Sequence, residues 1–94
     1  MKVSFSLPAL ANVEEIIDYV GQRSPASARR IGARIDSLAE LLTRQPEAGA
    51  VTDEPSIRRL VTTPYPYLIF YELLEHEVRI MAVRHGARDP RTMP

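Results

Sequence analysis

The sequence predicts an α+β fold in the order β-α-α-β-β-β, with an N-terminal helical hairpin packed on one face of an antiparallel sheet. Three observations carry this. Residues 67–74 and 77–83 are apolar runs rich in aromatic and β-branched side chains, joined by a short acidic turn. Ahead of them, apolar residues recur by threes and fours across residues 8–44. Two prolines in that stretch sit where helices begin, because the first helical N–H has no partner for a proline to remove. No repeat or low-complexity tract interrupts the 94 residues, which suit a single domain, 1–94.

Lys2-Val3-Ser4-Phe5-Ser6-Leu7 alternates polar and apolar residues as a half-buried strand does. Pro8 opens the first helix, whose Val13, Ile16, Ile17 and Val20 lie opposite Glu14, Glu15 and Asp18, and Gly21 closes it. Ser24 is the N-cap of the second helix and Pro25 its first turn. Ala28, Ile31, Ile35, Leu38 and Leu42 form its buried stripe, better explained by packing on a sheet than by a coiled coil, with Arg29, Arg30, Arg34 and Glu40 outside. Pro46 and Gly49 stop this helix near Arg44, and residues 46–56 read as a loop. Strands follow at 57–62, 67–74 and 77–83, with a proline-punctuated turn at 63–66. A two-residue turn at Glu75-His76 places Glu72 opposite Arg79, Phe70 opposite Met81 and Leu68 opposite Val83 on one face. Tyr71 with Ile80, Ile69 with Ala82 and Tyr67 with Arg84 then share the other face. Both faces are mostly apolar, and one helical hairpin covers only one, so a binding partner or the C-terminal tail is expected on the second.

Composition narrows the function classes. With 45% hydrophobic and 26% charged residues the chain has the balance of a globular domain. The formal net charge is zero, which argues against generic coating of nucleic acid, and no direct DNA binding is expected of the chain alone. Cations nevertheless gather toward the C-terminus: residues 1–57 carry six Lys and Arg against eight Asp and Glu, residues 58–94 six against four. Eleven of the twelve cations are arginines, which favour planar, bidentate contacts with carboxylate or phosphate. No cysteine is present, so disulfides, thiolate chemistry and Cys-based zinc sites are excluded, and two histidines make a metal site improbable. No cofactor motif is visible. With neither a signal peptide nor a long apolar run, a cytoplasmic protein without membrane contact is expected.

Arg58-Arg59-Leu60-Val61, Tyr67-Leu68-Ile69-Phe70-Tyr71 and the closing His85-Gly86-Ala87-Arg88-Asp89-Pro90, in a chain of this element order, resemble the RelE/ParE toxins. Ile17-Asp18-Tyr19-Val20, Ser24-Pro25-Ala26-Ser27-Ala28 and Pro46-Glu47-Ala48-Gly49 fit the resemblance, which covers nearly the whole chain. It implies the toxin half of a type II toxin-antitoxin module, held inactive in a hetero-oligomer by an antitoxin whose C-terminal segment wraps it. RelE-like members cut messenger RNA on the ribosome; ParE-like members poison DNA gyrase. Metal-free RNA cleavage needs a proton acceptor, a proton donor and cations on the phosphate. The candidates for a nuclease are His85, Arg59 and Arg84, with Tyr67 or Tyr71 to stack on a base.

Two departures favour the ParE-like branch: Tyr67 stands where cleaving members usually carry an arginine, and Lys2 is the only lysine. The gyrase reading places target contacts on Arg84, His85, Arg88 and Arg91, and antitoxin contacts on Arg58, Tyr67, Ile69 and Tyr71. A ribosome-dependent endoribonuclease and a non-toxic remnant that still binds antitoxin are the alternatives. Plainer roles compete for the same residues. His85 can be a strand-end histidine satisfied by a carbonyl, Tyr65, Tyr67 and Tyr71 can be packing residues, and Arg58 and Arg59 can blunt a sheet edge. His76 reads as a solvated turn residue.

Overall fold

The computed structural model describes residues 1–88, with Arg88 by its backbone alone, so Arg91 lies outside the described residues. The elements are β1 (Lys2–Phe5), α1 (Leu7–Gly21), α2 (Pro25–Arg44), β2 (Ala50–Val51), β3 (Ile57–Val61), β4 (Tyr67–Leu73) and β5 (Glu77–His85), followed by a 3-10 turn, Gly86–Arg88. The strands form one sheet in the order β1-β5-β4-β3-β2. β2 to β5 are antiparallel, as expected, but β1 lies parallel to β5, with Lys2 beside Glu77 and Phe5 beside Ile80, so the sheet is mixed. Neither this pairing nor the two-residue β2 inside the expected 46–56 loop has a local signal. Each is created by the strand it meets, not by its own sequence.

Both helices start as their residues dictate. The Ser6 hydroxyl accepts the Ala9 N–H at 3.2 Å, and the Ser24 hydroxyl accepts that of Ser27 at 3.1 Å, each satisfying one of the free donors of a first turn. α2 buries Ala28, Ile31, Ile35, Leu38 and Leu42. These pack on Tyr67, Ile69, Tyr71, Val78, Ile80 and Val83, and α1 adds Ala9 with half-buried Val13, Ile16, Ile17 and Val20. The other face carries a smaller cluster of Ile57, Leu68 and Phe70 with Ala82 against it.

Two corners are tied down by polar side chains. Tyr71 reaches from β4 under the loop after α2, where its hydroxyl donates to the Pro46 carbonyl at 2.8 Å and accepts the Gly49 N–H at 2.9 Å. Buried Thr62 closes the β3–β4 turn, its hydroxyl 3.0 Å from the Tyr65 carbonyl and accepting the Tyr67 N–H at 3.2 Å. The Thr63–Pro64 peptide in that turn is cis, and the Arg34 Nε of α2 donates to the Thr63 carbonyl at 3.1 Å. At the β1 edge the Ser4 hydroxyl donates to the Glu77 carboxylate at 2.7 Å, which holds that carboxyl below its ordinary range.

The Glu75-His76 turn sets Glu72 opposite Arg79 and Tyr71 opposite Ile80, as the sequence predicts. Beyond them a β-bulge takes in Met81, and Phe70 meets Ala82, Ile69 meets Val83, Leu68 meets Arg84 and Tyr67 meets His85. The expected pairs Phe70–Met81, Ile69–Ala82, Leu68–Val83 and Tyr67–Arg84 are therefore each displaced by one residue. The bulge lies where β1 ends and α1 begins, so β5 loses its strand neighbour there. Side chains replace it: the Ser6 hydroxyl donates to the Met81 carbonyl at 3.2 Å, and Asn12 Oδ1 accepts the Val83 N–H at 3.0 Å.

Candidate functional site

The bulge decides which residues the C-terminal end of β5 presents to each side. Cross-strand partners share a face, so His85 joins Tyr67 on the helix side, while Arg84 joins Leu68 on the opposite side. The Tyr67 and His85 rings meet edge to face, with centroids 5.6 Å apart. His85 Nδ1 accepts the Ala87 N–H at 3.2 Å, so the neutral ring carries its proton on Nε2. The Gly86 N–H donates to the Pro66 carbonyl at 2.8 Å, which extends the β4–β5 pairing into the 3-10 turn.

Around His85 lies a cleft of about 550 Å³ between α1 and β5, lined by Asn12, Glu15, Ile16, Tyr19, Tyr67, Val83, Arg84 and His85. Tyr19 is 55% exposed, and the Arg23 guanidinium sits 5.2 Å from its ring centroid. Asn12, Glu15 and Tyr19 are absent from the residues singled out by sequence. They read as one side of an amphipathic helix, and only the docking of α1 on β5 brings them beside His85.

The candidate nuclease residues do not all converge. Arg59 pairs with Phe70 and faces the side away from the helices together with Arg84, whereas Tyr67 and His85 face the helices. Arg59 is separated from the histidine by the sheet, while Arg84 and His85, consecutive at the end of β5, line the same cleft.

The expected antitoxin contacts are mostly interior. Ile69 and Tyr71 are fully buried and Tyr67 nearly so, all three in the core under the helices, and of the three only Tyr67 borders the cleft. Strand alternation placed these three on one face correctly; which face the hairpin covers was not readable from two apolar faces. Burial also raises the Tyr71 phenol above its ordinary 10.0, against the opposing hydrogen bond from Gly49. Arg58 is half-buried and donates to the Gly49 carbonyl at 2.9 Å and to that of Glu47 at 3.3 Å, which makes it a fastener of the loop after α2. Of the expected target contacts, Arg84 is exposed and His85 half-exposed, and Arg88 lies in the terminal turn.

A model of the ParE toxin of the type II toxin-antitoxin system parDE matches residues 3–90. The chain belongs to this ParE/RelE toxin family. Toxin RelE2 of Caulobacter vibrioides is 38% identical to this family member over 87 residues, covering 93% of the chain and 97% of the relative. Putative toxin Y4kP of Sinorhizobium fredii is 32% identical over 85 residues, covering 90% of the chain and 88% of the relative. A chain of the chromosomal ParDE TA system from P. aeruginosa superposes with a TM-score of 0.79 at 19% identity, covering 90% of this toxin and 95% of that chain, a likeness of fold. The chain is thus a ParE/RelE-type toxin of a type II toxin-antitoxin system, and among its described residues no helix is long and apolar enough to cross a membrane.

Proposed function

We propose that this toxin acts in the cytoplasm on DNA gyrase without covalent chemistry of its own, and that a cognate antitoxin neutralises it in a hetero-oligomer. The observation that supports this reading is the division of Arg59, on β3 and on the face away from the helices, from Tyr67 and His85. General acid-base cleavage of RNA requires the proton carrier and the phosphate-holding cations around one phosphate, and opposite faces of a sheet do not provide that. The end of β5 and the turn after it, with Arg84 and His85 accessible, is the target-contacting surface in this reading.

One observation favours a second reading, ribosome-dependent RNA cleavage. Arg59 and Arg84 share a face, and two arginines on one face suit a phosphodiester backbone. Expression without antitoxin, with DNA and protein synthesis followed separately, distinguishes the two. Early loss of DNA synthesis with trapped gyrase-DNA complexes is expected. Early loss of translation with cut messages would replace the gyrase reading by the nuclease one, and unimpaired growth would mark a remnant that only binds antitoxin.

A further inference from the structure

The last residues of β5 are held by two different kinds of neighbour. On one side β4 pairs with them, Phe70 beside Ala82, Ile69 beside Val83, Leu68 beside Arg84 and Tyr67 beside His85. On the other, β1 pairs only as far as Ile80, whose carbonyl takes the Ser6 N–H at 2.9 Å. Beyond it the start of α1 takes over: the Ser6 hydroxyl donates to the Met81 carbonyl, and Asn12 Oδ1 accepts the Val83 N–H. The Ser6 hydroxyl also caps α1 at Ala9, so its place is explained by the helix it starts. Among the described residues Asn12 has no such local bond. Inside a helix asparagine is a poorer choice than alanine, because its amide competes for backbone groups, and the bond from Asn12 reaches a residue 71 positions away.

Val83 is thereby fixed twice, its side chain buried in the core and its N–H bonded to α1. Arg84 and His85 follow directly, the first exposed and the second half-exposed. We propose that Asn12 is a positioning residue of the toxin: by holding the Val83 N–H it sets the directions in which Arg84 and His85 leave the sheet, and so readies the target-contacting surface before the target arrives. A contact surface already held in its bound arrangement avoids the cost of ordering a strand end and a long arginine side chain on binding. Asn12 acts only through these two residues. That they meet the target rests on the reading above; the hold of Asn12 on β5 does not.

The test compares the purified full chain with Asn12→Leu, Asn12→Asp and Gly49→Ala, the last chosen to lower stability from the loop after α2. NMR of the isotopically labelled proteins reports on residues 83–85, and purified gyrase with plasmid DNA reports trapping. Asn12→Leu is expected to shift the signals of Val83, Arg84 and His85 and to raise the half-maximal trapping concentration about tenfold. Asn12→Asp keeps an acceptor oxygen and is expected to trap within about twofold of wild type. Gly49→Ala is expected to do the same at a temperature where it remains folded. Undiminished trapping by Asn12→Leu, failure of Asn12→Asp to restore it, or an equal loss in Gly49→Ala would overturn the proposal. If the wild type traps no gyrase, the target reading falls and the NMR signals decide the positioning: changes at residues 83–85 in Asn12→Leu that are absent from Asn12→Asp uphold it, and unchanged signals overturn it.

Discussion

Tyr71 joins the core to the loop after α2 through a single oxygen atom. Its hydroxyl satisfies the Pro46 carbonyl and the buried Gly49 N–H at once, so Tyr71→Phe strands both and is expected to cost about 1–3 kcal/mol. Urea unfolding of the two proteins at neutral pH gives that difference. The same oxygen predicts a pH effect. Because the folded phenol titrates above the unfolded value near 10.0, the native state holds its proton longer. The contribution is fully present below pH 10 and is lost as the pH climbs from there through the folded value. Wild type is therefore expected to lose part of its advantage over the phenylalanine variant as the pH rises above about 10; a constant difference there would contradict the assignment. Gly49 has no room for a side chain, since a Cβ would lie 2.7 Å from the Tyr71 ring and 2.9 Å from the Arg59 carbonyl. Gly49→Ala is expected to destabilise by roughly 1–3 kcal/mol, read in the same unfolding experiment, even though glycine elsewhere in a loop exchanges freely.

At the scale of elements, the joint between α1 and β5 governs the site. Asn12 acts there as a one-atom substitute for a strand. Asn12→Leu leaves the Val83 N–H without an acceptor and is expected to lower stability by about 1 kcal/mol and speed exchange of that amide, whereas Asn12→Asp keeps an acceptor oxygen and both properties. Unchanged Val83 exchange in the leucine variant would mean that the bond contributes nothing. Deleting Met81 removes the extra residue of the bulge, which is expected to leave every pair beyond it in place, with His85 still beside Tyr67, and to remove the carbonyl that Ser6 binds. Persistence of the Tyr67–His85 ring contact in NMR spectra is expected, and its loss would contradict the assignment of Met81 as the extra residue. The helices were legible in the sequence because caps and periodicity are local: Ser24, Pro25 and the Ile31 to Leu42 stripe fall where expected. The bulge was not. In a strand with one polar face, a one-residue slip exposes apolar side chains and betrays itself, but Leu68 to Phe70 and Ile80 to Val83 are apolar on both sides. That slip exchanged Arg84 for His85 as the partner of Tyr67.

For the whole molecule, the sheet is a partition with a different task on each side. Its helix side buries Tyr67, Ile69 and Tyr71, residues whose aromatic and branched character made the strand legible in the sequence. Its other side carries Arg59 and Arg84 around Leu68 and Phe70. If target contact lies at the end of β5, Arg84→Ala is expected to reduce trapping of gyrase at least tenfold while antitoxin affinity stays within a few-fold, and Arg59→Ala is expected to leave trapping nearly unchanged. Equal losses from both variants would move the contact to the middle of that face. Purified gyrase, plasmid DNA and each variant suffice for this comparison.

The parallel pairing of β1 with β5 also fixes an order in time. β1 is translated before every other strand of the sheet, yet its partner strand is the last of them, and the groups that hold the end of β5, Ser6 and Asn12, likewise wait for it. Helices α1 and α2 can form as they emerge, but the edge they are to seal does not exist until β5 has been made. A chain released early by a truncated message thus has its helical hairpin and no finished tip, and so lacks the surface assigned here to the toxin's target.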